Sequence, residues 1–142
     1  MIVHPLRKKI LLSEVLIFLS FIFASPNEPI ILIHGFMGWG REEMGNYYYW
    51  GGTTDLEEYL KSEGYEVYSV SIAPVSSNFD RAVEAYYQIK GCQVNYGNEH
   101  SDEFNLIQQP LNKFYEGLYP EWDNNHPVHL ITHSQGGQTA RM

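Results

Sequence analysis

Ser134 lies in a sequence pattern that is typical of a nucleophilic serine. The stretch "VHLITHSQGGQTARM" places an apolar run, Val128 to Ile131, shortly before Ser134. A serine hydroxyl attacks a carbonyl carbon effectively when a base removes its proton and fixed donors stabilise the oxyanion. One recurrent arrangement puts that serine on a sharp turn between a strand and a helix, flanked by small residues. We therefore predict that Ser134 is a nucleophile; the competing interpretation is a serine that caps the next helix.

The predicted turn departs from the usual pattern at one position. Thr132 stands where glycine-x-serine-x-glycine has its first glycine, whereas Gly136 matches the second. Because the branched side chain of Thr132 crowds the following helix, we expect strain in the turn. Gly137 adds room beyond it.

A second segment offers the hydrogen-bond donors that this chemistry needs. "IHGF" follows the apolar run Ile30 to Ile33, where such a fold places the loop that donates one oxyanion N–H group. The main-chain amides of Phe36 and Gln135 are the predicted donors, each worth about 10²–10³ in rate. His34 is interpreted as a structural residue that orients the loop, and His133 as packing beside the turn.

The elements around these segments predict an α/β fold with a mostly parallel sheet. Apolar runs without alternation, at Ile30 to Ile33 and Val128 to Thr132, are typical of strands buried on both faces. "YEVYSVSI" alternates and predicts a further strand between them. The order strand, helix, strand, helix, strand favours a parallel sheet.

Two helices are predicted between the strands, over 55–62 and from Ser77 to about residue 90. Ser77 and Asp80 have the spacing of a capping box. The second helix is expected to bury one face, formed by Ala82, Ala85, Tyr86 and Ile89. Residues 92–112 lack a clear period, and "NKFYEGLYPEW" is interpreted as containing a helical turn.

Composition and the N-terminus bound the class of protein. The 142 residues fit one domain, and the net charge of −8 disfavours nucleic acid as a partner. Cys92 is the single cysteine, so an internal disulfide or a cysteine metal cluster is excluded. Basic residues, an apolar stretch and small residues near Ala24 predict a signal peptide over 1–24, with an uncleaved anchor or a cytosolic helix as alternatives. The protein is therefore expected to be secreted, with its folded domain over 25–142.

The chain resembles the thermoalkalophilic bacterial triacylglycerol lipases, the secreted lipases of bacilli and staphylococci. The resemblance rests on "PIILIHGFMGWGREEM", "YWGG", "PVSSNFDRAVEAYYQIKGCQVNYGNEH" and "HSQGGQTARM", and covers nearly all of 29–142. It implies an α/β-hydrolase fold, of which this would be the N-terminal part, and hydrolysis of acylglycerol esters at a lipid–water interface. It implies Ser134 as the nucleophile and the Phe36 and Gln135 amides as the oxyanion hole.

The resemblance also implies a structural zinc, held in those lipases by two aspartates and two histidines. Asp80 and His100 match the first of each pair, but no histidine lies between His100 and His126. Two of four ligands do not make a zinc site. Asp102 or Glu103 would suit calcium better as added oxygen ligands, and Asp80 alone is explained by its place at a helix start. The chemistry itself requires no cofactor.

In this fold the catalytic acid and histidine follow the serine along the chain. No histidine follows Ser134 here, so we expect the chain to be part of a longer enzyme, truncated after the nucleophile turn and inactive alone. Two alternatives stay open: a non-catalytic lipid- or glycan-binding relative, and an acyltransferase on the same scaffold. The sequence leaves the acyl chain-length preference and the oligomeric state undetermined.

Overall fold

A three-stranded parallel sheet organises the fold. In the computed structural model, which describes residues 28–142, strand β1 (Ile30–Ile33) lies between β2 (Val67–Ser69) and β5 (His129–Thr132). Ile30 of β1 is in register with Val67 of β2 and with His129 of β5. Burial of β1 on both faces agrees with its unbroken apolar sequence, since Ile31 and Leu32 are almost fully buried. The predicted parallel sheet is confirmed for the described residues, but the predicted burial of β5 is wrong: His129 to Ile131 are exposed, because β5 is an edge strand of the described sheet.

Helix α1 (Leu56–Ser62) connects β1 to β2 after a long loop that contains no regular element. Its N-cap, Asp55, accepts a hydrogen bond from the Glu58 amide at 3.1 Å. This contact satisfies one of the free N–H groups of the first turn, which explains where the helix begins. Gly64 follows with φ +91°, a conformation that ends the helical path.

Helix α2 (Asn78–Lys90) crosses from β2 toward the second half of the chain. Ser77 caps it by accepting the Asp80 amide at 3.0 Å, as the capping-box spacing predicts. The Asp80 carboxylate departs from that motif, because it accepts the Ser76 hydroxyl at 2.9 Å.

The buried face of α2 differs from the predicted one. Tyr86 is 48% exposed, so its assignment to the core was wrong, whereas Ala85 and Ile89 are buried as predicted. The remaining buried positions are polar: Arg81, Glu84 and Gln88. Their side chains bind main-chain groups of the loops at the sheet edge, and this satisfies polar atoms that would otherwise disfavour burial.

The segment after α2 forms a small antiparallel pair that the sequence did not predict. Strand β3 (Cys92–Gln93) pairs with β4 (Phe114–Tyr115), and helix α3 (Asn98–Phe104) lies between them. The helical turn predicted for "NKFYEGLYPEW" is therefore wrong at β4. Two-residue strands carry too little sequence pattern to reveal their pairing, which depends on long-range contacts.

The core packs between the sheet and α2. Its buried cluster contains Ile31, Ile33, Val70, Ile72, Ala85 and Ile89. Within residues 28–142, no helix combines the length and the apolar composition needed to cross a bilayer. The predicted signal peptide over 1–24 lies outside the described residues.

Candidate active site

Ser134 occupies a tight turn between β5 and the short helix α4 (Gly136–Thr139). Its φ of +53° lies in the left-handed region, which a residue other than glycine adopts rarely and at a cost of about 1–3 kcal/mol. The residue is exposed rather than packed into the interior. The turn therefore presents the Ser134 hydroxyl at the carboxyl end of a parallel strand.

Gly136 lets this turn pack directly against the end of β1. A Cβ atom at Gly136 would lie 2.3 Å from the carbonyl oxygen of Ile33 and 2.9 Å from that of His34. Thr132, the position that departs from the usual pattern, is less tightly packed than Gly136. A Cβ at Gly137 would lie 3.4 Å from the Thr132 hydroxyl oxygen, an ordinary contact distance, so Thr132 does not crowd the helix at this position.

The loop that follows β1, residues 34–38 and called the β1 loop, lies against Ser134. A Cβ at Gly35 would come within 2.8 Å of the Ser134 Cβ, so the two segments are in direct van der Waals contact. Neither the Phe36 amide nor the Gln135 amide donates a hydrogen bond to any acceptor within residues 28–142. Two free main-chain donors thus flank the turn that carries the serine.

The orientation of the Phe36 amide is fixed through the carbonyl of the same peptide group. The Gly35 oxygen accepts the Gly38 amide at 3.1 Å, faces Nδ1 of His34 at 2.9 Å and lies 3.4 Å from a guanidinium nitrogen of Arg81. In a trans peptide the C=O and N–H bonds point in opposite directions. The Phe36 N–H group therefore points away from this cluster.

Tyr49 joins the β1 loop to the serine turn. Its hydroxyl oxygen accepts the Gly35 amide at 3.0 Å and lies 2.5 Å from Nδ1 of His133. The rings of Trp39 and Trp50 pack edge-on against Tyr49, with centroids 5.3 and 5.4 Å away. Sequence reasoning missed the specific role of Tyr49, because its partners lie far away along the chain.

Gln135 is anchored by its side chain as well as placed by the turn. Its Nε2 donates to the Ser76 carbonyl at 3.2 Å and to the Asn78 side-chain oxygen at 3.1 Å. These contacts hold the residue after Ser134 against the start of α2. The structure thus brings Ser134, Phe36 and Gln135, the three predicted site residues, to one edge of the sheet.

Two buried side chains stabilise the β1 loop on the side that faces the protein interior. His34 is fully buried, and its ring nitrogens face the carbonyl oxygens of Gly35 and Ile72, the latter at 3.1 Å. Burial lowers the pKa of His34 and so favours the neutral imidazole, which carries one ring hydrogen. A structural role agrees with this geometry.

Arg81 is the second of these, and sequence reasoning missed it. The side chain is fully buried, and its guanidinium donates to the carbonyls of Ala73 and His34 and to the Thr139 hydroxyl. Burial lowers the pKa of Arg81, opposed by the charge of Glu84. An arginine remains protonated at neutral pH despite such a shift. A helical arginine next to Asp80 carries no pattern that distinguishes it from a solvated residue.

The candidate metal ligands contact each other instead of surrounding a vacant position. His100 Nε2 and Asp80 Oδ1 are 2.6 Å apart, and the imidazole packs between Phe79 and Phe104, with centroids at 4.2 and 4.7 Å. Burial would raise the pKa of Asp80, but the hydrogen bonds from His100 and Ser76 outweigh it and lower the pKa.

Within the described range 28–142, no cluster of three His, Cys, Asp or Glu side chains is arranged to hold a metal ion. Asp102 and Glu103 are exposed on α3 and do not complete a site with Asp80 and His100. A donor set of one carboxylate and one imidazole does not fit the four ligands of a structural zinc. Asp102 and Glu103 do not join Asp80 and His100 in this arrangement, and calcium ligation by them stays a prediction.

Comparison with known proteins gives a consistent result. A family model described as "Lipase-like, C-terminal domain" matches residues 26–142. The chain is 42% identical over 117 residues to a lipase of Staphylococcus hyicus, which covers 81% of this chain and 18% of that protein. It is 43% identical over 119 residues to a lipase of Staphylococcus epidermidis, at 82% and 17% coverage. The chain therefore spans less than a fifth of the length of these curated relatives.

Solved structures show the same likeness. The structure of EstA from Clostridium botulinum superposes with a TM-score of 0.77 and 48% identity, over 81% of this chain and 26% of that one. Lipase 1 from Pelosinus fermentans gives a TM-score of 0.75 and 48% identity, over 81% and 31%. The Staphylococcus hyicus lipase structure gives 0.77 and 42%, over 82% and 30%.

Proposed function

From the premise that this chain belongs to the family of lipase-like C-terminal domains, we propose that it carries the nucleophile and the oxyanion-binding amides of a bacterial triacylglycerol lipase. One observation supports this proposal above the others. Ser134 is held at φ +53° between β5 and α4, in contact with the β1 loop. A serine that merely caps a helix has no need of this strained backbone, because N-cap residues lie in the extended region.

The proposed reaction begins with attack of the Ser134 hydroxyl oxygen on the ester carbonyl carbon. The serine proton passes to a base, and the carbonyl oxygen of the tetrahedral intermediate accepts hydrogen bonds from the Phe36 and Gln135 amides. Collapse of the intermediate breaks the bond to the alcohol, which leaves with a proton. Water then hydrolyses the acyl-enzyme and releases the fatty acid.

The base in this proposal is not one of the described histidines near the site. His34 is buried against two carbonyls, His133 is engaged with Tyr49, and His100 is engaged with Asp80. Within residues 28–142, no histidine hydrogen-bonds the Ser134 hydroxyl. We therefore assign the base and its orienting acid to residues of the complete protein other than those described.

A lipid substrate is supported by the surface next to the serine. Phe36 and Met37, in the loop that contacts Ser134, are 58% and 61% exposed. Apolar side chains beside a nucleophile favour a water-insoluble ester at a lipid–water interface over a small polar one. Secretion, long-chain acylglycerols and membership in the thermoalkalophilic group belong to this proposal as well.

The test is hydrolysis of p-nitrophenyl butyrate and of emulsified triolein by the complete protein and two serine variants. Ser134→Ala is expected to lower kcat by at least about 10⁴-fold, because the covalent step is lost. Ser62→Ala, at the exposed end of α1, is the matched control and retains full activity. Mass spectrometry should locate a fluorophosphonate adduct on Ser134.

Two other outcomes would point elsewhere. A folded wild-type protein that hydrolyses neither ester and takes no fluorophosphonate would be a non-catalytic relative. Preferential transfer of the acyl group to an added alcohol, with little free fatty acid, would identify an acyltransferase.

A further inference from the structure

We infer that Arg81 is a positioning residue for the oxyanion-binding loop: its buried guanidinium holds the β1 loop, the loop before α2 and helix α4 in one arrangement. The inference rests on the proposed function for its catalytic consequence, and on the geometry for its structural part. Arg81 touches neither Ser134 nor a substrate position, and it acts through the main chain of other residues.

The guanidinium contacts three segments at once. Nη1 donates to the Ala73 carbonyl, Nη2 donates to the His34 carbonyl at 2.6 Å, and Nε donates to the Thr139 hydroxyl at 3.2 Å. Ala73 lies in the loop before α2, and Thr139 lies in the helix that follows the serine turn. The planar fork of an arginine suits this task, because its five N–H donors have fixed directions.

The charge of Arg81 is costly where it lies. The residue is fully buried, and it forms no ion pair with a carboxylate within residues 28–142. Burying a cation without a directly paired carboxylate disfavours folding, although the charge of Glu84 offsets part of this cost, and a well-packed apolar side chain of similar volume is often neutral or stabilising at such a position. Stability alone therefore gives no reason for an arginine here, whereas organisation of polar main-chain groups does.

The contacts of Arg81 influence the Phe36 amide through two consecutive peptide groups. The His34 oxygen accepts Arg81, while the amide of the same peptide group, on Gly35, donates to Tyr49. The next peptide group has its oxygen near Arg81 at 3.4 Å and its amide, on Phe36, free to donate. A guanidinium bound to these carbonyl oxygens fixes the orientation of the two peptide planes. Its charge also polarises both peptide groups, so that the N–H groups of Gly35 and Phe36 become stronger donors.

The experiment compares Arg81→Lys, Arg81→Met and a control in the complete protein. Lysine keeps the charge but has one compact ammonium group, which cannot reach all three segments. Gln88→Leu is the matched control, since Gln88 is also buried on α2, but its side chain binds the main chain of Ser71 and makes no hydrogen bond to residues 34–38. The kcat of each variant is divided by the number of active sites that a fluorophosphonate labels when the reaction is complete. Unfolded protein is not labelled and therefore does not lower this kcat.

The expected result is a fall in kcat per labelled site with little change in KM. We expect kcat per labelled site to fall about tenfold in Arg81→Lys and up to about 10²-fold in Arg81→Met. These losses do not exceed the fall in kcat that follows removal of one oxyanion donor. Gln88→Leu should lower the thermal midpoint while leaving kcat per labelled site unchanged. In Arg81→Ala, added methylguanidinium should restore part of kcat, and methylammonium at the same concentration should not.

Amide hydrogen exchange provides a readout that needs no activity. Exchange in a peptide covering residues 34–38 should become faster in Arg81→Lys than in Gln88→Leu at equal global stability. If the wild type proves inactive but this local effect appears, the positioning role stands and the proposed function fails. If the wild type is active, yet Arg81→Lys changes neither kcat per labelled site nor local exchange, the inference on Arg81 is overturned.

Discussion

At the scale of single residues, the two glycines after Ser134 differ in what they tolerate. A side chain at Gly136 would meet main-chain oxygens of Ile33 and His34 at 2.3 and 2.9 Å, and neither can move without disturbing β1. Gly136→Ala is therefore expected to cost about 1–3 kcal/mol of unfolding free energy, as overpacking does, and to abolish most ester hydrolysis. Denaturant unfolding and kcat per labelled site measure the two effects.

Gly137→Ala is the control for this prediction, because its Cβ would meet the Thr132 hydroxyl at 3.4 Å, an ordinary contact distance. Because Gly137 lies in helix α4, this change is expected to be neutral or to stabilise by up to about 0.5–1 kcal/mol. Equal tolerance of both alanines would mean that the turn does not pack against β1 as described.

Motif spacing was sufficient to predict Ser134, Phe36 and Gln135 at one edge of the sheet, because a strand followed by a small-residue turn constrains the backbone locally. Arg81 and Tyr49 escaped prediction for a physical reason. Their partners lie far away in sequence, such as His34 for Arg81 and His133 for Tyr49. A single sequence records the residue types but not these long-range hydrogen bonds.

At the scale of elements, β1 and β5 were predictable from their apolar runs and β2 from its alternation. Helix α1 was predictable from the spacing of its apolar residues and the glycine after it, and α2 from its cap. The pair β3 and β4 was not, since each strand has only two residues. The buried face of α2 was predicted wrongly at Tyr86, because polar side chains that satisfy loop carbonyls replace apolar ones in the interior.

The junction of α2 and α3 gives a prediction about metal dependence. His100 links the start of α2 to α3 through its contact with Asp80 and its tilted ring contacts with Phe79 and Phe104. Because Asp80 and His100 bind each other directly and not through a metal ion, we expect a chelator to leave the midpoint of thermal unfolding unchanged. His100→Ala should cost about 1–3 kcal/mol, since it removes one of the two side-chain donors of a partly buried carboxylate, the other being Ser76.

His126→Ala is the matched control for this measurement. His126 also pairs with an aspartate, Asp123, at 2.9 Å, but both side chains are 52% exposed, so the change should be close to neutral. A midpoint that falls with the chelator, recovers with added Zn²⁺ and no longer responds in His100→Ala would show that a metal holds the junction.

At the scale of the whole molecule, β5 leaves an apolar edge uncovered within residues 28–142. It pairs with β1 on one side, and Leu130 and Ile131 are 39% and 45% exposed. Unpaired apolar strand edges promote association, so the polypeptide 28–142 on its own is expected to self-associate and to bind the dye ANS.

Ile131→Lys should reduce both self-association and ANS binding, because a charge on an edge strand opposes pairing. Leu111→Lys, at a side chain that is 94% exposed but outside the sheet, should leave them unchanged. Light scattering of the three polypeptides measures the difference, and a monomeric parent chain that unfolds cooperatively without binding ANS would show that this edge needs no further cover.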